Sequence, residues 1–121
     1  MAVVRYLVDD VDAAVNFYTE VLDFDLVDHM GAPFAQVARG DLTLWLSGPR
    51  SSAARPMPDG RQPAAGGWNR LVIEVKDIEA IVSRLLKANV QFRNSIITGP
   101  GGSQVLCEDP AGNPIEIFQP A

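Results

Sequence analysis

The chain repeats its own pattern at a fixed distance, and this repeat is the feature that most limits how it can fold. Val8–Ala13 (VDDVDA) corresponds to Val75–Ala80 (VKDIEA), 67 residues further along. In both places an apolar stretch with strand-like alternation leads into an acidic residue, and an apolar stripe at helical spacing follows. Self-similarity at one offset is the mark of duplicated structural units. The sequence therefore predicts two copies of one βαβββ unit.

The first copy is predicted to hold one helix among four strands. Apolar residues alternate in Val3–Val8, which indicates a strand, and they then recur at helical spacing over about 11–22. The acidic residues Asp9–Asp12 suit the start of this helix, because carboxylates cap free amide groups there. Turn residues separate three further predicted strands, which are Phe24–Asp28, Phe34–Arg39 and Leu42–Leu46.

The second copy repeats this order. Lys76–Asp77 provides a second cap, and apolar residues from Ile78 to Leu86 form a second helical stripe. Gly99–Gly102 is predicted to be a hairpin turn rather than a phosphate loop, since it lacks the Lys-Ser/Thr of a P-loop. The predicted strands are Leu71–Val75, a segment near Phe92–Asn94, Ser103–Glu108 and Pro114–Phe118.

A segment rich in Gly, Pro, Ser and Ala, Ser47–Asn69, separates the two copies. It is too long for a hairpin, so it is either a solvated connector, which is the favoured interpretation, or a lid over a site. The predicted organisation is one domain over 1–121, with module one at about 1–46, the linker at about 47–69 and module two at about 70–121.

Composition excludes several classes of protein. The net charge of −5 and the pI near 4.6 come without a basic stripe, which argues against a nucleic-acid partner. No run of about 18 apolar residues is present, so no membrane span is predicted. The N-terminus reads as a strand rather than a signal peptide. Cys107 is the single cysteine, so no intramolecular disulfide can form, and a cytoplasmic location is expected.

Two motifs, in this order, resemble the vicinal oxygen chelate superfamily, which has the glyoxalase/bleomycin resistance/dioxygenase fold. The first is Asn16-Phe17-Tyr18 in the predicted first helix, and the second is the turn and strand at Glu108–Glu116 (EDPAGNPIE). The resemblance covers nearly the whole chain. It implies an α+β fold in which two tandem βαβββ modules form an open curved barrel around a pocket, and it implies a homodimer. Both motifs also have structural roles: Phe17 and Tyr18 would anchor the helix on its sheet, and Asp109–Asn113 would build a tight reversal between two strands.

The resemblance also implies where a divalent metal would be bound in metal-dependent members. The ligands there are His or Gln, Glu, His and Glu, and these four positions fall on Val3, Trp45, Arg70 and Glu116 of this chain. Only Glu116 is a residue that binds metal, so neither a metal nor another cofactor is predicted. The single histidine, His29, precedes a turn and is predicted to be structural or solvated.

Strand periodicity predicts which side chains line the pocket. Leu71, Ile73 and Val75 share the face toward the helix, which turns Arg70 and Glu74 the other way. The same reasoning points Arg5, Trp45, Arg70, Glu74, Glu116 and Phe118 toward one cavity. The ligand-binding candidates are Arg5, Trp45, Arg70, Glu74 and Phe118, and Glu116 is the catalytic candidate. Arg70 and Glu116 are expected to form an ion pair where a metal would be bound. Trp68 either closes over the pocket or anchors the linker, and Cys107 is expected to be an inert core thiol.

Two functions remain open. The first is a metal-free protein that binds a small molecule, similar to the bleomycin-resistance branch, with arginines that favour a carboxylate or phosphate. The alternative is an enzyme of the superfamily, with an altered metal site or with Glu116 as catalytic acid or base. A lyase or isomerase would fit that alternative better than a ring-cleaving dioxygenase, which needs two histidines where this chain has one.

Overall fold

Each half of the chain folds into a four-stranded sheet with one helix, as seen in a computed structural model that describes residues 2–121. The chain divides into two compact units, the first ending at Gly66 and the second running from Gly67 to Ala121. The first unit contains β1 (Ala2–Leu7), α1 (Val11–Asn16), a π-helical segment (Phe17–Val21), β2 (Asp25–His29), β3 (Phe34–Arg39) and β4 (Leu42–Ser47). The second contains β5 (Leu71–Glu74), α2 (Ile78–Lys87), β6 (Ile97–Gly99), β7 (Gly102–Glu108) and β8 (Pro114–Pro120).

The two sheets have the same topology. Their strand orders are β1-β4-β3-β2 and β5-β8-β7-β6. In each sheet the first strand runs parallel to the last strand of its unit, and the remaining pairs are antiparallel. This arrangement confirms the predicted duplication of a βαβββ unit.

The helices begin where the repeat places them. Asp10 and Asp77 have extended backbone conformations, and the side chain of each accepts a hydrogen bond from an amide three residues later, Ala13 and Ala80 respectively, at 3.1 Å. A cap of this kind satisfies one of the amides that the first helical turn leaves without a partner. The two caps lie 67 residues apart, the same offset that the sequence shows.

The first helix has the predicted extent but changes its winding. The amide of Leu22 donates to the carbonyl of Phe17 at 3.2 Å, a π-type bond. Phe17 packs edge-on against Tyr18, and Tyr18 against Phe24, with ring centroids 5.2 and 5.4 Å apart. Tyr18 is fully buried. Phe17 is buried as well, so both aromatic side chains pack inward, in agreement with the anchoring role that the motif predicts.

The structure has no regular strand at the position predicted near Phe92–Asn94. Phe92 forms an isolated bridge with Cys107, and the regular strand lies later, at Ile97–Gly99. The reason is a side-chain contact with β7: the side-chain oxygen of Asn94 accepts the amide hydrogen of Leu106 at 2.9 Å. The Asn94 side chain thus occupies the amide of Leu106, which would otherwise pair with the backbone of a continuing strand.

Each sheet packs one face against its helix, and the predicted site residues lie on the opposite face. In the first sheet the buried residues include Leu44 and Leu46, and in the second they include Ile115 and Ile117. Helix α1 contacts β3 and β4, and α2 contacts β8. Alternation along the strands places the intervening side chains on the opposite face of each sheet. Among residues 2–121 no helix is long and apolar enough to cross a membrane.

The segment between the modules is not extended throughout. It contains a short 3-10 helix at Ser52–Ala54 and a turn in which the amide of Met57 donates to the carbonyl of Arg61 at 2.8 Å. Gln62–Ala65 forms one side of a cleft of about 310 Å³ in the first unit. The cleft is also lined by Leu7, Val8, Asp9, Ser47, Gly48, Pro49 and Ala54.

Candidate functional site

The strand register places the four implied ligand positions at equivalent points of the two sheets. Val4 is paired with Leu44 in the first sheet, and Leu71 with Ile115 in the second. In the first sheet, Val3 precedes Val4 and Trp45 follows Leu44. In the second sheet, Arg70 precedes Leu71 and Glu116 follows Ile115. The four positions therefore occupy corresponding points of the two sheets, and their equivalence to metal-ligand positions stays a prediction.

Arg70 and Glu116 form the predicted ion pair. Nε and Nη2 of Arg70 both donate to Oε1 of Glu116, at 3.0 and 2.9 Å. Nη1 of Arg70 donates to the carbonyl of Trp68 at 3.3 Å. The Glu116 side chain is 11% exposed and that of Arg70 is 30% exposed. A carboxylate this buried requires a partner, and Arg70 supplies it.

Gln104 completes the surroundings of the Glu116 carboxylate. With its amide nitrogen turned toward Glu116, it donates to Oε1 at 3.2 Å and to Oε2 at 3.0 Å. Gln104 lies on β7 opposite Phe118, two positions along β8 from Glu116. Sequence reasoning missed this residue, although its place in an alternating strand was a signal that it shares the face of Glu116.

The other predicted residues of module two lie on the same sheet face. Glu74 is paired with Phe118 across the parallel strands, and Val72 with Glu116. Glu74 and Val72 are exposed, whereas Phe118 is partly buried. The structure thus brings Arg70, Glu74, Glu116 and Phe118 together on one surface, which we call the module-two face. Their role in ligand binding stays a prediction.

The predicted residues of module one, Arg5 and Trp45, are also in contact. They are cross-strand partners, and the guanidinium carbon of Arg5 lies 4.9 Å from the centroid of the Trp45 ring. Nη1 of Arg5 donates to the hydroxyl of Ser47 at 3.1 Å. Phe34 meets Trp45 edge-on, with ring centroids 5.8 Å apart. These four residues form the module-one face. That the two faces line one cavity stays a prediction.

The residues at the implied ligand positions do not fit a divalent metal. Val3 has no donor atom, the indole nitrogen of Trp45 carries a hydrogen, and Arg70 is a permanent cation. The carboxylate of Glu116 is engaged by Arg70 and Gln104. Within residues 2–121, no three His, Cys, Asp or Glu side chains are grouped in a way that could hold a metal ion.

Arg93 holds the entry to module two in place, and the sequence did not single it out. Its Nε donates to Glu108 Oε2 at 2.7 Å, Nη1 to the carbonyl of Gly67 at 2.7 Å, and Nη2 to the carbonyl of Gly112 at 3.0 Å. Its guanidinium carbon lies 4.5 Å from the centroid of the Trp68 ring. Trp68 is itself 68% exposed. Of the two predicted roles for Trp68, these contacts favour an anchor for the end of the linker.

The Asp109–Asn113 turn has the structural role that its sequence predicts. Oδ1 of Asp109 accepts the amide hydrogens of Ala111 and Asn113, both at 2.9 Å, and Oδ2 accepts from the side-chain amide of Asn113 at 3.0 Å. Gly112 adopts a positive φ of 89°. The buried Asp109 carboxylate is therefore used to build the reversal between β7 and β8.

Two further residues with reactive side chains have structural surroundings. Nε2 of His29 lies 3.0 Å from Oδ1 of Asp12, which joins the edge strand β2 to the start of α1. Cys107 is fully buried, and this burial raises the pKa of its thiol to about 12. A thiol with so high a pKa is a poor nucleophile, in agreement with the inert role predicted for it.

Comparison with solved structures supports the fold over almost the full length. TnmS3, an antibiotic binding protein from Streptomyces sp. CB03234, is 28% identical, with a TM-score of 0.77 over 100% of this chain and 95% of that one. A superfamily member from Sphaerobacter thermophilus DSM 20745 is 25% identical, with a TM-score of 0.79 over 98% and 95%. Lactoylglutathione lyase from Agrobacterium tumefaciens, at 22% identity, a TM-score of 0.78 and coverage of 98% and 92%, shows the fold alone.

The family comparison agrees with these likenesses. No curated protein matches the chain. The family profile described as the Glyoxalase/Bleomycin resistance protein/Dioxygenase superfamily matches residues 1–117, which is nearly the entire sequence. Together with the duplicated βαβββ topology, this match confirms the family that the two motifs indicated. The chain belongs to the glyoxalase/bleomycin resistance protein/dioxygenase superfamily.

Proposed function

We propose that this protein binds a small molecule and does so without the divalent metal of the metal-dependent members of its superfamily. The observation that carries the proposal is the Arg70–Glu116 ion pair. It puts a guanidinium 2.9 Å from the carboxylate that alone among the four positions could bind metal. A metal ion at this carboxylate would meet the repulsion of a permanent positive charge.

The ligand-binding residues in this proposal are Arg5 and Trp45 on the module-one face and Arg70, Glu74 and Phe118 on the module-two face. They combine aromatic surface with charged groups, as small-molecule sites usually do. The likeness to TnmS3, which is described as an antibiotic binding protein, supports a binding function. It does not identify the ligand. We further propose a homodimer, which would cover strand edges such as β2, whose residues are all exposed.

The proposed role of Glu116 is to hold Arg70 in place rather than to transfer protons. Both of its oxygens accept hydrogen bonds, Oε1 from Arg70 and Gln104 and Oε2 from Gln104. A general acid or base needs an oxygen within reach of the substrate proton. An enzyme that uses Glu116 in this way is the alternative, and steady turnover that Glu116→Gln abolishes would favour it.

The test has two measurements on the same protein. The first is metal content by plasma mass spectrometry after incubation with Ni, Mn, Fe and Zn salts and removal of free ions. We expect far less than one ion per chain. The second is a thermal-shift screen with small molecules, before and after treatment with a chelator, in which we expect stabilisation that the chelator leaves unchanged. About one tightly bound ion per chain, or ligand stabilisation lost on chelation, would contradict the proposal.

A further inference from the structure

We infer that the module-one face binds the carboxylate of an aromatic ligand through Arg5, with the ring system of the ligand seated beside it in the cleft of the first unit. This inference rests on the proposed function and narrows it to one class of ligand and one half of the chain. Three features carry it: the unused donors of Arg5, the way its guanidinium is held, and the position of the cleft.

Arg5 has most of its hydrogen-bonding capacity unused. A guanidinium has five N–H groups, and toward residues 2–121 Arg5 makes one side-chain hydrogen bond, from Nη1 to the Ser47 hydroxyl. Across residues 2–121, no carboxylate lies within 4.0 Å of its nitrogens. Nη1 faces Ser47, and Nε and Nη2 of this exposed residue have no hydrogen-bond acceptor among residues 2–121. The edge formed by Nε and Nη2 presents two parallel N–H groups, which match the two oxygens of a planar carboxylate.

Two contacts hold the guanidinium before any ligand arrives. The Ser47 hydroxyl belongs to a fully buried residue, and the ring of Trp45 lies 4.9 Å from the guanidinium carbon. An arginine held in this way loses less conformational freedom on binding than a solvated one. Arg70 and Arg93 differ in this respect, because Glu116 and Glu108 already neutralise them. The charge of Arg5 is therefore available to an anion from outside.

The cleft lies at the ends of β1 and β4, and two of its lining residues share the sheet face of Arg5. Leu7 and Ser47 are cross-strand partners, two positions along their strands from the partners Arg5 and Trp45. Both line the cleft of about 310 Å³ that Gln62–Ala65 bounds on another side. This volume is at the lower end of the range for small-molecule sites and suits a body of one or two rings. The edge-on pair of Phe34 and Trp45 adds aromatic surface on the sheet face of Arg5, and Phe34 is the cross-strand partner of Ser47.

The experiment is a calorimetric titration of the full chain with 2-naphthoate, 2-naphthamide and inorganic phosphate. The amide has nearly the shape of naphthoate but no charge, and phosphate has charge without a ring. We expect naphthoate to bind, the amide to bind at least about ten-fold more weakly, and phosphate to compete poorly. The ten-fold step corresponds to the loss of a charge-assisted hydrogen bond of about 1.5 kcal/mol.

Variants locate the site. Arg5→Gln should weaken naphthoate binding by about 10- to 100-fold, and Arg5→Lys should recover part of it, since an ammonium keeps the charge but not the two-pronged geometry. Arg61→Gln is the matched control, because it removes an exposed arginine of the same unit that is paired with Asp59. It should change the affinity less than two-fold. Arg5 is exposed, so neither of its variants should lose the fold.

Each other result has a defined meaning. If naphthoate does not bind while neutral compounds stabilise the protein in the thermal-shift screen, the inference is wrong and the proposed function stands. If no small molecule binds at all, both are wrong. Equal binding of naphthoate by Arg5→Gln and the unaltered protein would overturn the site, and phosphate binding as tightly as naphthoate would overturn the ligand class.

Discussion

Arg70 directs two N–H groups at a single oxygen of Glu116, from Nε at 3.0 Å and from Nη2 at 2.9 Å. The second oxygen of this carboxylate accepts from Gln104 at 3.0 Å. A mostly buried carboxylate thus has both oxygens satisfied without a metal. The pair sits at the point of the second sheet that corresponds to Val3 and Trp45 in the first, so the two modules carry different residues at the implied ligand positions.

Breaking the Arg70–Glu116 pair should cost stability in a non-additive way. Removing one partner leaves the other charge partly buried and uncompensated. Because the Arg70 side chain is 30% exposed, we expect Arg70→Ala and Glu116→Ala each to lower the free energy of unfolding by about 1–3 kcal/mol, less than for a fully buried pair. The loss of unfolding free energy in the double variant should be smaller than the sum of the two single losses by roughly 0.5–2 kcal/mol. Urea unfolding of all four proteins measures this coupling.

The exposed pair Arg61–Asp59 is the control for that cycle. Its atoms approach equally closely, at 2.8 Å, but its side chains are 82% and 55% exposed. Solvent screening should reduce its coupling to less than about 0.5 kcal/mol. Additive effects at Arg70 and Glu116, no larger than those at the control pair, would contradict the structural role assigned to the ion pair.

Gly102 should not tolerate a side chain, whereas its neighbour Gly101 should. Gly102 has a φ of 144°, and an added Cβ would collide with the carbonyl oxygen of Gln119 and lie 3.0 Å from Cα of Pro120. A Cβ added at Gly101 would lie in open space. We expect Gly102→Ala to lower the free energy of unfolding by more than about 2 kcal/mol and Gly101→Ala to change it by less than about 1 kcal/mol. Equal effects in chemical denaturation would contradict the strand register of β7 and β8.

The thiol of Cys107 should make stability fall at alkaline pH. Burial, followed by the nearby charges of Asp109 and Glu108, raises the pKa of Cys107 from 9.0 to about 12. Between these values the unfolded chain gives up the thiol proton while the folded chain retains it. The stabilising contribution is therefore complete below pH 9 and is lost as the pH rises toward 12, by roughly 1.4 kcal/mol per pH unit.

Cys107→Ala isolates this effect from other groups that titrate at high pH. The variant loses packing at every pH, but it lacks the titrating thiol. The difference in unfolding free energy between the unaltered protein and the variant should shrink as the pH is raised from 8.5 to 10.5 in urea titrations. A difference that stays constant over this range would mean that the thiol is not desolvated as the structure indicates.

Local patterns were enough to predict most of the architecture. Asp10 and Asp77 could be recognised as helix caps because an acidic side chain before an apolar helical stripe satisfies free amides close in sequence. Two-residue alternation along the strands predicted the sheet face on which Arg5, Trp45, Arg70 and Glu116 lie. The Arg70–Glu116 contact was predicted because their positions were equivalent to two ligand positions of one family, not because any spacing in the sequence showed it.

The residues that sequence reasoning missed all depend on contacts between distant segments. Alternation places Gln104 on a face, but only the pairing of β7 with β8 sets it diagonally opposite Glu116. Arg93 joins Gly67, at the end of the linker, to Glu108 and Gly112, which lie at the turn between β7 and β8. The segment at Phe92–Asn94 had the composition of a strand, but the side chain of Asn94 took the backbone partner at Leu106.

The sequence by itself thus determined the duplication, the order of the elements and the face on which each side chain lies, because these depend on interactions within a few residues. The tertiary structure decided the register between strands, and through it the partners of each charged group. Hydrogen bonds and ion pairs require their atoms within about 3 Å, and a shift of one residue in register would turn every side chain of a strand to the other face. For this reason Glu116 is satisfied by Arg70 and Gln104, whereas Arg5 has Ser47 and Trp45 beside it and no carboxylate among residues 2–121.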